Sequence, residues 1–278
     1  MHKHHSLLLS ASAFCLFAIL AIFSAQQPNV ITPQAFDDRV VVPASLLTIL
    51  HGGDRFLAAD LEIIRISATG MDDRGVDTGF LIRAQREITR LNPCHEDNYY
   101  LANGLLTWGG AVEQGNEVLR AAIQCRFWDE FPPFFYGINL SFFQHKNDEA
   151  ARVLEIGAER SAQNAATMRK LAIMLRTEQF ADERIALNYL SQQRDVATSP
   201  KLRNMLDKRV IRLQGLIQLH EAHQRYEIEH GVLTELQQLV THGVMAELPT
   251  DPLRLGYELR NGRIELKKLK IAGLEEQP

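Results

Sequence analysis

The residues best suited to chemistry are four potential metal ligands that recur along one stretch of the chain: His220, His223, Glu227 and His230. On a helix, offsets of three, seven and ten residues place all four side chains on one face, and both residue types can bind metals. Ligands seven residues apart nevertheless lie roughly 10 Å apart along a helix, too far to share one ion. The pattern therefore predicts a polar, solvated face, with neither a metal nor a cofactor.

Linear catalytic motifs are absent from the sequence. It contains no Gly-x-Ser-x-Gly, no phosphate-binding Gly-x-x-x-x-Gly-Lys-Ser/Thr and no dinucleotide fingerprint. His220 and His223 are three residues apart, whereas the zinc-protease motif has histidines four apart. An active site assembled across several helices would leave no linear motif. With that alternative open, the sequence predicts that the protein is not an enzyme.

Composition indicates a folded protein that does not bind nucleic acid. The chain has 278 residues, of which 46% are hydrophobic and 23% charged, with a formal net charge of −4. These values are typical of globular domains. Phosphate binding requires Lys and Arg gathered on one face, and no such stripe is present. Positively and negatively charged residues that lie close together in the sequence, such as Arg83, Arg86 and Glu87, instead indicate solvated helix faces.

The first 25 residues differ in composition from the rest. Leu7 to Ala25 contains no charged residue, and it is roughly long enough to cross a hydrocarbon core of about 30 Å as a helix. Lys3 precedes this run and Asp37 follows it, which predicts a cytoplasmic N-terminus. We therefore predict a signal-anchor at residues 1–25 of a single-pass inner (cytoplasmic) membrane protein whose C-terminal domain lies in the periplasm.

The alternative is a cleavable signal peptide and a secreted periplasmic protein. Cleavage after Ala25 would place bulky Phe23 three residues from the cut, whereas cleavage after Ser24 places Ile22 there, which is tolerable. Under either interpretation, residues 26–43 contain prolines and little pattern, which predicts a linker.

Residues 44–243 are predicted to be helical throughout. Helical patterns of one or two dozen residues are separated by Gly, Pro and Asn, and strand-like alternation is nearly absent. Leu57, Leu61, Ile64 and Ala68 recur at helical spacing and are predicted to form a packing face. A second pattern, starting near Phe80, stops before Pro93.

An internal period of 35 residues appears between Asp97 and Glu159. The matching pairs are Tyr99 with Phe134, Gly115 with Ala150, Leu119 with Leu154, and Ala122 with Gly157. The period predicts a repeated antiparallel helix pair, in which an aromatic residue fills the gap between neighbours and small residues allow close crossing. A shifted third unit spans 165–193, and a degenerate first unit spans 54–93.

This spacing resembles that of the tetratricopeptide repeat, with Pro93 where that family has its repeat-ending proline. Gly115, Asn103 and Ile138 depart from the family pattern. The resemblance implies an all-α fold: an antiparallel helix-hairpin repeat array, a solenoid, with the N-terminal membrane anchor before it and a small C-terminal β-hairpin after it. A plain helical-hairpin array is the alternative.

The C-terminal part is predicted to close the array. A long helix from Lys201 to about Glu229 suits a cap over the last apolar repeat face. A further helix is expected over 233–241. The tail, 244–278, carries Asn261–Gly262 between alternating segments, which is a strong hairpin pattern because both residues accept positive φ. The helix–hairpin order resembles that of bacterial exported repeat proteins.

The resemblance also implies a binding groove along the first helix of each pair. The family's groove positions fall on Asp97, Tyr100, Trp108, Phe135, Asn139 and Phe142. Aromatic residues dominate protein interfaces, and aromatic side chains are dense from Phe127 to Phe143. The expected partner is a protein segment. The Lys and Asn arrangement that grips a peptide carboxylate in some members is missing.

The same fold brings two cysteines together. Cys94 precedes the Tyr99 helix and Cys125 follows the helix of Leu119, and these ends of an antiparallel pair are adjacent. In an oxidising compartment, a disulfide is expected there; two unrelated buried thiols are the alternative. We therefore expect a membrane-tethered scaffold or adaptor that assembles an envelope complex, or alternatively a periplasmic small-molecule or metal-binding protein.

Overall fold

A computed structural model of the chain describes residues 39–69, 71–72 and 75–267. The predicted anchor (1–25), residues 26–38 of the predicted linker (26–43) and the end of the tail lie outside the described residues. From Val42 onwards the chain forms one compact unit. Among the described residues, no helix is both long and apolar enough to cross a membrane.

The described chain is mostly helical, as predicted, with two short antiparallel hairpins. Its helices are α1 (Ala44–Leu50), α2 (Arg55–Thr69), α3 (Thr78–Leu91), α4 (Glu96–Leu101, continued by π-helical Ala102–Thr107), α5 (Val112–Cys125), α6 (Phe131–Phe142), α7 (Asn147–Arg160), α8 (Ala165–Thr177), α9 (Glu183–Val196), α10 (Pro200–His230) and α11 (Gln238–Thr241). The strands are β1 (Met71–Asp72), β2 (Gly75–Val76), β3 (Tyr257–Arg260) and β4 (Arg263–Leu266). The β1–β2 hairpin was not predicted.

From α2 to α8, each helix packs mainly against its neighbours in the chain. The predicted repeat positions form much of the core, since Tyr99, Leu119, Ala122, Ala150 and Leu154 are all buried. Gly137 allows α6 to approach α7 closely: a Cβ there would lie 2.8 Å from Cγ of Leu154. Phe134 of α6, which matches Tyr99 of α4 in the repeat, is only half-buried. Phe134 therefore buries less of its side chain in the core than Tyr99 does.

Helix α2 does not use the packing face predicted for it. Leu57, Leu61, Ile64 and Ala68 are all exposed. The buried face consists instead of Ala58, Ala59, Glu62, Ile63 and Ile66. The helix carries two apolar stripes, and only the second meets α3. Periodicity cannot distinguish two such stripes, because the choice depends on where the neighbouring helix lies.

The C-terminal hairpin is confirmed and packs against α10. Asn261 and Gly262 form its turn with φ values of 50° and 74°, and β3 pairs with β4 in antiparallel register. The Tyr257 hydroxyl donates a hydrogen bond to the carbonyl oxygen of Arg212 at 3.2 Å. Helix α10 itself begins at Pro200, where the Ser199 hydroxyl accepts from the amide of Leu202.

The helix predicted over 233–241 is shorter than expected. Only Gln238–Thr241 is helical, so the prediction is wrong for residues 233–237. The side-chain Oε1 of Gln238 accepts hydrogen bonds from the amides of Thr234 and Glu235 and from the Thr234 hydroxyl. These bonds stabilise a turn and replace the backbone bonds that a helix would make.

Candidate protein-binding surface

Helices α4 and α6 lie side by side and contact each other at three levels. The Tyr100 and Phe135 rings are 5.5 Å apart, and those of Trp108 and Phe142 are 5.6 Å apart. Between them, the amide nitrogen of Asn139 donates to Oδ1 of Asn103 at 3.1 Å. Each pair is separated by about one repeat in the sequence. Corresponding residues of consecutive helix pairs therefore meet along one surface.

The first aromatic group on this surface lies near the start of both helices. Ring centroids of Tyr100, Phe131 and Phe135 are 5.5 to 6.2 Å apart. Tyr99 stacks behind Tyr100 at 4.6 Å and is fully buried. Tyr100 is 38% exposed and Phe131 42% exposed. A buried ring thus supports rings that remain partly open to solvent.

The second group lies towards the ends of the two helices. Trp108 packs against Phe142 and, edge-on at 5.1 Å, against Phe143. Trp108 is 53% exposed and Phe142 51% exposed. Exposed rings of this size, clustered together, are typical of surfaces that bind another molecule. We call the two groups together the aromatic surface: Tyr100, Trp108, Phe131, Phe135, Phe142 and Phe143.

Asn139 is not part of this surface, which corrects the prediction for that residue. It is only 1% exposed. Its amide nitrogen also lies within 3.0 Å of Oδ1 of Asn116 and 3.4 Å of Oγ1 of Thr107. A short amide side chain in a helix interface is stable when such partners are available. Asn139 therefore ties α6 to α4 and α5 beneath the exposed rings.

A π-helical segment brings Trp108 to the surface. The amide of Ala111 donates to the carbonyl of Leu106 at 2.8 Å, five residues back, which continues the wide turn that begins at Ala102. Gly115 of α5 packs directly against this segment, and a Cβ there would overlap the Thr107 hydroxyl. Single π turns are frequent at functional sites in helices. This turn places Trp108 opposite Phe142.

A charged group holds the loop between α5 and α6. The Asp129 carboxylate accepts from Nε of Arg126 at 2.8 Å, from the Phe131 amide at 3.0 Å and from the Tyr99 hydroxyl at 2.8 Å. Burial raises the pKa of Asp129, but these hydrogen bonds outweigh it and hold that pKa below its ordinary value. The loop presents two further exposed rings, Phe127 and Trp128, in edge contact at 5.0 Å.

The edge of the aromatic surface near the start of α4 is acidic. Asp97 is exposed and makes no hydrogen bond or ion pair with any other described residue. Glu96 is exposed beside it and pairs with Arg126 at 2.8 Å. One free carboxylate therefore stands at the N-terminal end of α4, where the helix dipole stabilises negative charge.

Cys94 and Cys125 are joined by a disulfide, with their Cα atoms 5.3 Å apart. The bond links the residue just before α4 to the last residue of α5. Next to it, Nη1 of Arg126 donates to the carbonyl of Cys94 at 3.1 Å. The disulfide and this arginine together hold the end of the helix pair that carries the acidic edge.

The four potential metal ligands of α10 make contacts with different neighbours. His220 lies between Glu183, 3.0 Å from its Nδ1, and the carbonyl of Ile264, 2.7 Å from its Nε2. His223 is 3.3 Å from Glu227, and His230 packs on the ring of Tyr226. Within the described ranges, no group of three or more His, Cys, Asp or Glu side chains could hold a metal ion.

Sequence reasoning missed three exposed rings of this region, those of Phe127, Trp128 and Phe131. The density of aromatic residues over 127–143 does mark them. The family's groove positions do not, because Phe127 and Trp128 lie in the loop before α6 and Phe131 is the first residue of α6, ahead of the groove position at Phe135. The chain matches no family model, no curated protein and no solved structure.

Proposed function

We propose that this protein is a scaffold or adaptor that binds a segment of another protein on the aromatic surface. The observation that carries the proposal is the cluster of half-exposed rings on two adjacent helices, Tyr100 and Phe131 at one end and Trp108 and Phe142 at the other. Burying such rings on association contributes most of the binding free energy at many interfaces.

We further propose that the helices form a tetratricopeptide-like solenoid. Three polar contacts support this, each joining residues about one repeat apart: Gln144 with Glu113, Asn164 with Glu130, and Gln179 with Asp148. Arg160, at the end of α7, also donates to the carbonyls of Ile123, Arg126 and Asp129 in the preceding unit. In repeat arrays, stability comes from such contacts between neighbouring units.

The spacing and charge of the aromatic surface indicate which kind of protein segment would bind it. The two ring groups lie about 10 Å apart along α6, taking a rise of about 1.5 Å for each of the seven residues from Phe135 to Phe142. A bound segment would therefore present two apolar side chains at that spacing. Asp97 and Glu96 would favour a Lys or Arg at the end nearest Tyr100.

We also propose that the domain is held at the inner membrane and faces the periplasm. The uncharged run from Leu7 to Ala25 supports the tether. Release by signal cleavage is the alternative, and separation of membrane and soluble fractions distinguishes the two. The disulfide between Cys94 and Cys125 agrees with an oxidising compartment.

Crosslinking in intact cells, followed by affinity purification of the full chain, tests the adaptor proposal. The Trp108→Ala/Phe142→Ala variant should capture at least fivefold less of the wild-type partner while unfolding at an unchanged temperature. A matched control is Phe56→Ala/Ile64→Ala, which removes two exposed apolar side chains from α2. Equal capture by the wild type and the Trp108 variant would contradict the assignment of this surface.

A further inference from the structure

A cavity of about 660 Å³ lies between α8, α9, α10 and the C-terminal hairpin. Its volume is within the range of roughly 300 to 1,000 Å³ that is usual for small-molecule sites. Most of its lining is apolar: Met174, Phe180, Ala186, Leu190, Leu213, Leu255 and Leu266. Leu190 and Leu213 are buried and form part of the core beneath it. The cavity therefore suits the hydrocarbon part of a small ligand.

Two arginines of α10 also line the cavity, and their environments differ. Arg212 is buried and has a carboxylate partner: its Nε lies 3.1 Å from Asp251, and its Nη2 donates to the carbonyls of Gly256 and Lys267. Arg209 is only half-buried. It makes no hydrogen bond or ion pair with any residue that the structure describes. Arg209 is thus a cation at an apolar cavity that no hydrogen bond or ion pair holds, although the charge of Asp251 attracts it.

Lys170 of α8 adds a second cation without a partner. It is half-buried, lies one turn before Met174, and forms no hydrogen bond or ion pair within the described part of the chain. Burial lowers the pKa of Lys170, and the charge of Arg209 lowers it further. Burial and the charge of Arg212 likewise lower the pKa of Arg209, and the charge of Asp251 offsets this in part. Arg209 is therefore repelled by both Lys170 and Arg212 in the free protein.

The nearby carboxylates neutralise these cations only in part. Asp251 accepts hydrogen bonds from the amides of Leu253, Leu255 and Gly256, besides its ion pair with Arg212. Glu183 lines the cavity but lies 3.0 Å from His220. Glu178 and Lys267, both exposed, also line the cavity. An anion beside Arg209 would reduce an electrostatic cost that the folded chain otherwise carries.

We propose that this cavity binds a small monocarboxylate with an apolar chain. The carboxylate lies against Arg209, which is part of the cavity lining, and the hydrocarbon chain packs against Leu190, Leu213 and Leu266. The guanidinium of Arg209 binds the two carboxylate oxygens as a fork, a geometry that a lysine alone does not provide. This site is separate from the aromatic surface and does not depend on the adaptor function.

Calorimetric titration of the purified full chain with octanoate, octanol and octylammonium tests the site. Octanoate should bind at least tenfold more tightly than octylammonium, with octanol between them. Arg209→Gln should weaken octanoate binding at least tenfold. The control, Arg225→Gln, removes an exposed arginine from the same helix and should change binding less than twofold. No octanoate binding to the wild type, or equal binding to Arg209→Gln, would overturn the proposal.

Thermal unfolding without ligand provides a second readout. Because Arg209 is repelled by its neighbours in the free protein, Arg209→Gln should unfold at the same temperature as the wild type or higher. Octanoate should raise the unfolding temperature of the wild type and of Arg225→Gln, but not that of Arg209→Gln. Lys170→Gln should show the same pattern more weakly. A lower unfolding temperature for free Arg209→Gln, with octanoate binding retained, would identify Arg209 as structural and contradict the site.

Discussion

The hydroxyl of Tyr99 donates a hydrogen bond to a carboxylate oxygen of Asp129, 2.8 Å away and 30 residues later in the sequence. Tyr99 lies in α4, whereas Asp129 lies just before α6 and also accepts from Arg126 and the Phe131 amide. One buried carboxylate therefore connects two consecutive helix pairs. Burial and the hydrogen bond to Asp129 raise the pKa of Tyr99, so its hydroxyl is protonated and donates at neutral pH.

Removing this hydroxyl should destabilise the fold without moving the ring. In Tyr99→Phe, Asp129 loses one of three donors in a buried setting, and a hydrogen bond to a charged group is worth about 2 kcal/mol. We expect the free energy of unfolding in urea to fall by about that amount. Tyr189→Phe is the matched control, because its half-buried hydroxyl bonds to no other described residue. Equal losses in the two variants would contradict the role of Asp129.

Acid should destabilise the protein through two aspartates. Burial raises the pKa of Asp129 and of Asp251, but backbone amides and an arginine outweigh it and hold both folded-state pKa values below the ordinary value. The unfolded chain therefore binds more protons in acid. The stabilisation is complete above the unfolded-state pKa of about 3.9 and is lost as pH falls through the lower folded-state values.

Urea unfolding from pH 7 to pH 2 measures this dependence. Asp129→Asn should be less stable than the wild type at pH 7 and should lose less stability on acidification, so the two curves converge. Asp97→Asn serves as the control, since that aspartate is exposed and bonds to no other described residue. Parallel curves for Asp129→Asn and the wild type would show that the protonation of Asp129 does not control acid stability.

Reduction of the disulfide should weaken the fold but not abolish it. Cys94 and Cys125 are 31 residues apart, and the chain-entropy model gives a loss of about 3 to 4 kcal/mol at 25 °C for a loop of this size. Cys94→Ser/Cys125→Ser should show the same loss without reductant. Thiol titration of the denatured wild type should find one free thiol before reduction and three after it, because the chain has three cysteines.

A methyl group on α10 should displace the C-terminal hairpin. A Cβ at Gly215 would overlap the Tyr257 hydroxyl and lie 2.9 Å from Cβ of Pro249. Overpacking of this kind costs about 1 to 3 kcal/mol, so Gly215→Ala should unfold at lower urea concentration. Tyr257→Phe removes the overlapping hydroxyl and should recover part of that loss in a double-mutant cycle. Strict additivity of the two changes would contradict direct contact at this position.

Much of the fold is predictable because it depends on local geometry. The 35-residue spacing identifies Tyr99, Leu119 and Leu154 as core positions, and all three are buried. The turn at Asn261–Gly262 follows from backbone preference, since both residues adopt positive φ there. The start of α10 at Pro200 is likewise predictable, because proline favours the first turn of a helix. In these cases the decisive interactions are between residues close in the chain.

The tertiary structure decided which faces are covered and which polar groups are satisfied. Of the two apolar stripes on α2, the neighbouring α3 covers the one containing Ile63 and leaves Leu61 exposed. Asn139 is buried because Asn103 and Asn116 from other helices accept its hydrogen bonds. The unpaired charge of Arg209 at an apolar cavity likewise depends on how α8, α9 and the hairpin meet α10. Periodicity gives the direction of a side chain around its own helix, but burial depends on neighbours that only long-range packing brings into place.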